Sequence, residues 1–309
     1  MKKYFRIMLG KGSQYAPECF AGNFIGADYD IKQDLSHELP EDWKEFNKKF
    51  IPIYISMHPD KSRVAAGLSC GFLWTVSKGI IKGDIVLCPD GSGSYHVGEV
   101  SSDYYYKPGE ILQHRRSVVW LPTKIQRTAM SESLRYATGA IGAVSNISGY
   151  GDEIEKLING VKAPKLISTD ESVVDPFAFA MEQHLEEFLF KNWHHTELGK
   201  EYDIFEDDKD RIGKQYAIGN GNKIDILAIS KNKKTLLVVE LKRGRASDEV
   251  VGQTLRYMGY VQELLAESGQ TVKGLIVAHE DDEHIKRALA MVPSISFYRY
   301  QVSFKLIKG

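Results

Sequence analysis

Asp225, Glu240 and Lys242 are the residues on which chemistry would turn. They stand in two short runs, Lys223 to Ser230 and Thr235 to Lys242, whose other members are mostly Ile, Leu, Val and Ala. The polar tetrapeptide Lys231-Asn-Lys-Lys234 separates the runs, so the pair reads as two antiparallel strands with a tight connection. Any even loop centred between Asn232 and Lys233, of two residues or four, sets Asp225 opposite Glu240. Directly opposed residues share a face, with Cβ atoms about 4.5–5.5 Å apart. Lys242, two residues on, shares that face as well. An Asp, a Glu and a Lys near strand ends are ordinarily solvated or paired with each other. Here they interrupt hydrophobic runs that read as a sheet buried on both sides, where charge is costly without compensation. A bound cation would supply that compensation. With carboxylate ligands and no Cys or paired His nearby, the expected ion is Mg²⁺ or Mn²⁺.

The same residues resemble a known pattern. Asp225 followed by Glu240-Leu241-Lys242 is similar to the Asp…Glu-x-Lys core of the PD-(D/E)XK nuclease superfamily. The blocks Gly213-Lys-Gln-Tyr, Ile224-Asp-Ile-Leu-Ala, Val238-Val-Glu-Leu-Lys-Arg-Gly and Gln253-Thr-Leu-Arg-Tyr come in order. Together they resemble the C-terminal domain of the NucS (EndoMS) mismatch-endonuclease family. The resemblance implies a restriction-endonuclease-like α/β sandwich with a mixed central sheet over residues 171–309, and hydrolysis of DNA phosphodiesters. It implies a metal held by Asp225, Glu240 and a glutamate of the first helix. Glu182 fits that glutamate's position best, with Glu186 in reserve four residues on. Lys242 would orient the attacking water or stabilise developing charge. Gln253 and Tyr257 would position it, and Arg243 and Arg245 would contact phosphate.

The elements that must carry these residues follow from local signals. Asp175-Pro176 starts the first helix, with Asp as cap and Pro in the first turn. Ser247 caps a later helix whose first turn holds Asp248 and Glu249. Gly274-Leu-Ile-Val-Ala reads as another buried strand, followed by a right-handed strand-helix-strand unit.

Residues 1–125 have a different texture. Short apolar runs (Tyr4 to Leu9, Phe50 to Ile55, Gly83 to Cys88, Tyr95 to Val100, Ser117 to Leu121) alternate with turn-rich segments. One helix is expected near Pro40–Phe46 and another near Asp60–Ser77, giving a small β-barrel or curled sheet with flanking helices. Gly83-Asp-Ile-Val, Tyr95-His-Val-Gly-Glu-Val and His114-Arg-Arg-Ser-Val-Val-Trp resemble PUA-like domains of the EVE kind, which implies a pocket for an extruded, modified base. Trp74, Trp120 and Tyr105 are its candidate walls. Arg115 and Arg116, in a compact basic cluster after a loop, read as phosphate contacts. Residues 126–170 read as a helical connector and linker, the break falling at 161–174.

The 309 residues suit two domains. A formal net charge of -1 excludes a global field for nucleic acid, so any DNA site must be local. Cys19, Cys70 and Cys88 are too far apart for a zinc site and read as reduced core residues. No run approaches the roughly 20 apolar residues of a membrane span, and the N-terminus does not read as a signal peptide. The expectation is a cytoplasmic, metal-dependent DNA endonuclease directed by a base-reading N-terminal domain, in restriction or phage defence. The alternatives are mismatch or damage repair, and a nucleic-acid-binding module without turnover. A homodimer stays open.

Overall fold

The chain divides into two units, Met1–Lys165 with Ala217–Lys223 and Leu166–Tyr216 with Ile224–Gly309. The computed structural model describes residues 2–139, 142–160, 185–207, 210–218, 222–280 and 283–300, and of residues 132, 243–245 and 280 the main chain alone. The expected linker at 161–174, the Asp175-Pro176 helix start and Glu182 lie outside the described residues.

In the N-terminal unit β1 (Tyr4–Ile7), β2 (Phe24–Ala27), β3 (Ile85–Pro89), β4 (Ser94–Val100), β5 (Tyr105–Tyr106), β6 (His114–Gln126) and β7 (Val144–Asn146) form one sheet. Its order is β2-β6-β4-β3-β1-β7, with β5 also on β6. Only β1 and β3 run parallel; the other pairings are antiparallel. The early residues of β6 pair with β2 and β5, and the later ones with β4 through an irregularity between His96 and Gly98. Such a break bends a strand. The expected barrel is, among the described residues, an open half-barrel. Gly98 sits opposite Trp120, and a Cβ there would lie 2.2 Å from Val118 Cγ1 and 2.7 Å from the Trp120 ring. Only glycine fits.

Five helices accompany this sheet among the described residues: α1 (Ala16–Gly22), α2 (Trp43–Met57), α3 (Arg63–Trp74), α4 (Glu132–Thr138) and α5 (Gly151–Ile158). The β-like run Phe50 to Ile55 is in fact the second half of α2. Asp42 caps that helix by accepting the Lys44 N–H at 2.9 Å. Trp43, Phe46, Phe50 and Tyr54 recur at helical spacing and are buried. Residues 126–160 also differ from expectation. They are no connector: β7 extends the sheet from β1, and Leu134, Ile147, Ile154 and Leu157 enter the core beside Tyr4 and Leu87. Cys19, Cys70 and Cys88 are buried and unbridged.

The C-terminal unit is built on β8 (Tyr202–Ile204), β9 (Lys214–Ala217), β10 (Lys223–Ser230), β11 (Thr235–Arg245), β12 (Thr271–Glu280) and β13 (Ile295–Arg299). The order is β13-β12-β11-β10-β8, with β9 also on β10. β8, β10 and β11 pair antiparallel, and β11, β12 and β13 parallel, so the sheet is mixed as expected. The parallel pairs require crossovers. α8 (Asp248–Tyr260) and α9 (Glu283–Ala290) supply them, after α6 (185–192) and α7 (Glu197–Glu201). Ser247 takes the cap position of α8 without a side-chain cap bond. Trp193, Ile226, Val239, Leu241 and Leu275 centre the core. No helix among the described residues is long and apolar enough to cross a membrane.

Candidate active site

The β10–β11 hairpin has the expected register. Ile226 pairs with Val239, and the pairing runs to Ile229 with Leu236 around a four-residue connection, 231–234. One step outward, Asp225 and Glu240 face each other, and Lys242 follows on the same side. Asp225 Oδ2 accepts the Leu241 main-chain N–H at 2.8 Å. Lys242 Nζ donates to Glu240 Oε1 at 2.8 Å and to Gln253 Oε1 at 3.4 Å. Gln253 Nε2 donates in turn to the Tyr257 hydroxyl at 3.0 Å. Gln253 and Tyr257, one turn apart on α8, therefore extend the network from the sheet onto a helix.

A third carboxylate joins from α6, and it is Glu186, 5% exposed, against 3% for its neighbour Glu240. Gln215 Nε2 on β9 donates to Glu186 Oε2 at 2.7 Å and to Asp225 Oδ1 at 3.4 Å. Lys214 Nζ lies 3.8 Å from Glu186 Oε1. The sequence set Glu182 first and Glu186 second. The structure brings Glu186 to Asp225, while Glu182 lies outside the described residues. Gly213, next to this pair, must be glycine: a Cβ there would sit 2.1 Å from the Leu227 carbonyl of β10.

Electrostatics mark this cluster as strained. Burial first, then the Glu240 carboxylate, push Asp225 well above the usual carboxylate range, and Glu186 adds to the push. The Leu241 N–H and Lys242 oppose it. Burial raises the Tyr257 phenol, so it stays protonated at neutral pH. Three carboxylates, two of which raise the proton affinity of Asp225, are hard oxygen donors that suit a divalent cation, whose charge would reverse that repulsion. Among the described residues no group of three or more His, Cys, Asp or Glu is drawn into metal-binding geometry. The donor chemistry fits such an ion; a closed cage is not present.

Arg243 and Arg245 stand in the last residues of β11, where its pairing with β12 is irregular between Lys242 and Arg245, and their side chains lie outside the described residues. In the N-terminal unit the expected phosphate contacts are corrected. Arg115 and Arg116 lie inside β6, buried to 5% and 4% exposure. Arg115 donates to the Leu112 and Ile111 carbonyls and pairs with Glu110 at 2.7 Å. Arg116 donates to the Val76, Ser77 and Ser102 carbonyls. Neither guanidinium is presented to a phosphate. His114 beside them is buried too, held by Tyr104 at 2.9 Å and the Ile31 carbonyl at 2.7 Å.

The expected base walls also scatter. Trp74 is buried at the end of α3, its indole N–H donated to the Pro40 carbonyl at 3.0 Å. Tyr105 is partly buried on β5. Trp120 is partly exposed and packs edge-on to Phe20 with ring centroids 5.0 Å apart. Phe20 stacks on His96 at 3.7 Å. Sequence reading passed over Phe20 and His96 because they are far apart in the chain and meet only through the sheet.

Comparison with known proteins places the two units separately. Residues 5–138 match the family model described as Domain of unknown function (DUF8426). No curated protein matches the chain in sequence. Among solved structures, an EndoMS–dsDNA complex is similar at 16% identity and a TM-score of 0.33, covering 72% of this chain and 66% of that one. A repair endonuclease from Pyrococcus abyssi is similar at 16% identity and a TM-score of 0.32, covering 69% and 66%. The chain thus spans just under two thirds of the length of these two structures. Residues 181–299, which hold every residue of the charged cluster, match the family model described as Endonuclease NucS C-terminal domain.

Proposed function

We propose that the C-terminal unit is a divalent-metal-dependent endonuclease that hydrolyses DNA phosphodiesters. The observation that carries this reading is that Glu186 and Asp225, bridged by Gln215, meet the Glu240–Lys242 pair that faces Asp225 across the β10–β11 hairpin, all inside the segment that matches the NucS C-terminal domain.

Glu186, Asp225 and Glu240 would hold the cation, which when bound polarises the scissile phosphate and lowers the pKa of water. The protein's own groups do the rest. Asp225 is fixed through the Leu241 N–H, so its orientation is set by the sheet. Lys242, bridging Glu240 and Gln253, is placed to orient water or to stabilise charge developing on phosphate oxygens. Burial keeps the Tyr257 phenol protonated, and since it accepts from Gln253 its own O–H can be donated to a substrate oxygen. Arg243 and Arg245, at the end of the strand that carries Glu240 and Lys242, are the candidate phosphate contacts.

The match to the NucS model favours repair of mismatched or damaged DNA over restriction. The restriction or phage-defence reading depends on a PUA/EVE-like N-terminal unit that reads a modified base. Trp120, with Phe20 and His96 beside it, is what supports that reader. The test is incubation of the whole protein with matched, mismatched and base-modified duplexes in Mg²⁺ or Mn²⁺, with and without chelator. Metal-dependent cutting of mismatched duplex supports the repair reading, and cutting confined to modified DNA supports restriction. Cutting undiminished by chelator would refute the metal-dependent mechanism.

A further inference from the structure

Gln215 has a backbone that its position in a strand does not explain. Its φ is +50°, in the left-handed region, although it is neither glycine nor asparagine and sits inside β9. Residues with larger side chains adopt that region only where the surroundings enforce it, and such residues gather at functional sites. The consequence is visible in its neighbours. In a regular strand Lys214 and Gln215 would point to opposite faces. Here both reach the same carboxylate, Lys214 at Glu186 Oε1 and Gln215 at Glu186 Oε2. The left-handed residue breaks the alternation and turns two adjacent side chains onto one group.

Gln215 also does something no charged residue would do there. Its amide nitrogen carries two protons and donates toward Glu186 and Asp225 at once, 2.7 and 3.4 Å away. A carboxylate in its place would add a fourth acidic group to Glu186, Asp225 and Glu240, and a lysine would add a second cation beside Lys214 at the pair that a metal ion is to neutralise. A neutral double donor spaces the two carboxylates and fixes one oxygen of each while leaving their charge intact. We infer that Gln215 is a positioning residue which sets the relative orientation of Glu186 and Asp225 for a divalent cation. This rests on the metal-dependent nuclease reading above, and goes beyond it by assigning the residue that assembles the ligand set.

The experiment is a Mn²⁺ titration of the full-length protein by calorimetry, alongside cleavage rates measured across Mn²⁺ concentration. Gln215→Gly suits the left-handed backbone and removes the whole side chain, the amide included. The variant should stay folded by circular dichroism and bind Mn²⁺ about 10–100-fold more weakly, the usual loss when a group supporting metal ligands is removed. In Gln215→Gly, saturating Mn²⁺ should restore most of the cleavage rate, which a merely structural defect would not allow. Asp225→Asn is the control for the underlying reading. If Asp225→Asn loses Mn²⁺ binding while folded Gln215→Gly binds and cuts like the wild type, the positioning role is wrong and the nuclease reading stands. If Asp225→Asn binds Mn²⁺ like the wild type, the metal-site reading itself is wrong, and the role given to Gln215 falls with it.

Discussion

The Lys242 ammonium donates to Glu240 Oε1 at 2.8 Å from two residues further along the same strand. Glu240 is buried and Lys242 about one third exposed, so the pair spans the boundary between core and solvent. Removing the lysine leaves a buried carboxylate without its nearest counter-charge. Lys242→Ala should therefore slow cleavage about 10²–10⁴-fold, the usual worth of a positioned proton-transfer or charge-stabilising group. Single-turnover rates at saturating metal measure this. A rate within a few-fold of wild type would remove Lys242 from the chemistry.

The cluster holds its charges at a cost. Burial and the two neighbouring carboxylates disfavour the charged form of Asp225. Asp225→Asn removes the charge and keeps the shape, so it should stabilise the chelated protein by about 1 kcal/mol while abolishing cleavage. Thermal melting in chelator checks the first half, and a lower Tm for the variant would contradict it.

A third expectation concerns acid. His114 is buried between Tyr104 and the Ile31 carbonyl, and burial lowers its pKa from the usual 6.5. The unfolded chain then binds the proton more tightly than the folded one. The stability His114 contributes is whole above about pH 6.5 and is lost as pH falls through the depressed folded value. Denaturant midpoints between pH 8 and pH 5 should fall, and fall less in His114→Gln. An equal fall in both would exclude His114 as the cause.

Arg116 supports the N-terminal fold through three main-chain carbonyls, Val76, Ser77 and Ser102. Arg116→Ala strands those acceptors and should cost about 3 kcal/mol of stability. DNA affinity of the folded protein should not change. A specific loss of DNA binding at unchanged Tm would restore the phosphate-contact role that burial argues against.

What the sequence revealed follows from what is local. The hairpin was legible because four polar residues between two apolar runs permit few registers, and the observed one, Ile226 opposite Val239, is among them. The choice between Glu182 and Glu186 was not legible, since residues four apart share a helix face, and it is the Gln215 amide of β9 that marks Glu186 as a member of the cluster. Gln215 was legible only as part of the Gly213-Lys-Gln-Tyr block; its turn toward Glu186 was not, because a left-handed φ at a non-glycine residue is imposed by its surroundings. Arg115 and Arg116 read as phosphate contacts because adjacent charges after a loop are usually solvated, yet the Val76 and Ser77 carbonyls, just past the end of α3, draw Arg116 inward. β7 was hidden among glycines, three residues long and defined only by its partner β1.

The most direct test of the nuclease account is Glu240→Ala. The purified variant and the wild type are incubated with mismatched duplex DNA and Mn²⁺, and nicked product is quantified over time, with circular dichroism confirming the fold. The account predicts metal-dependent product from the wild type and none above background from the variant. Product formed by folded Glu240→Ala at the wild-type rate would contradict it.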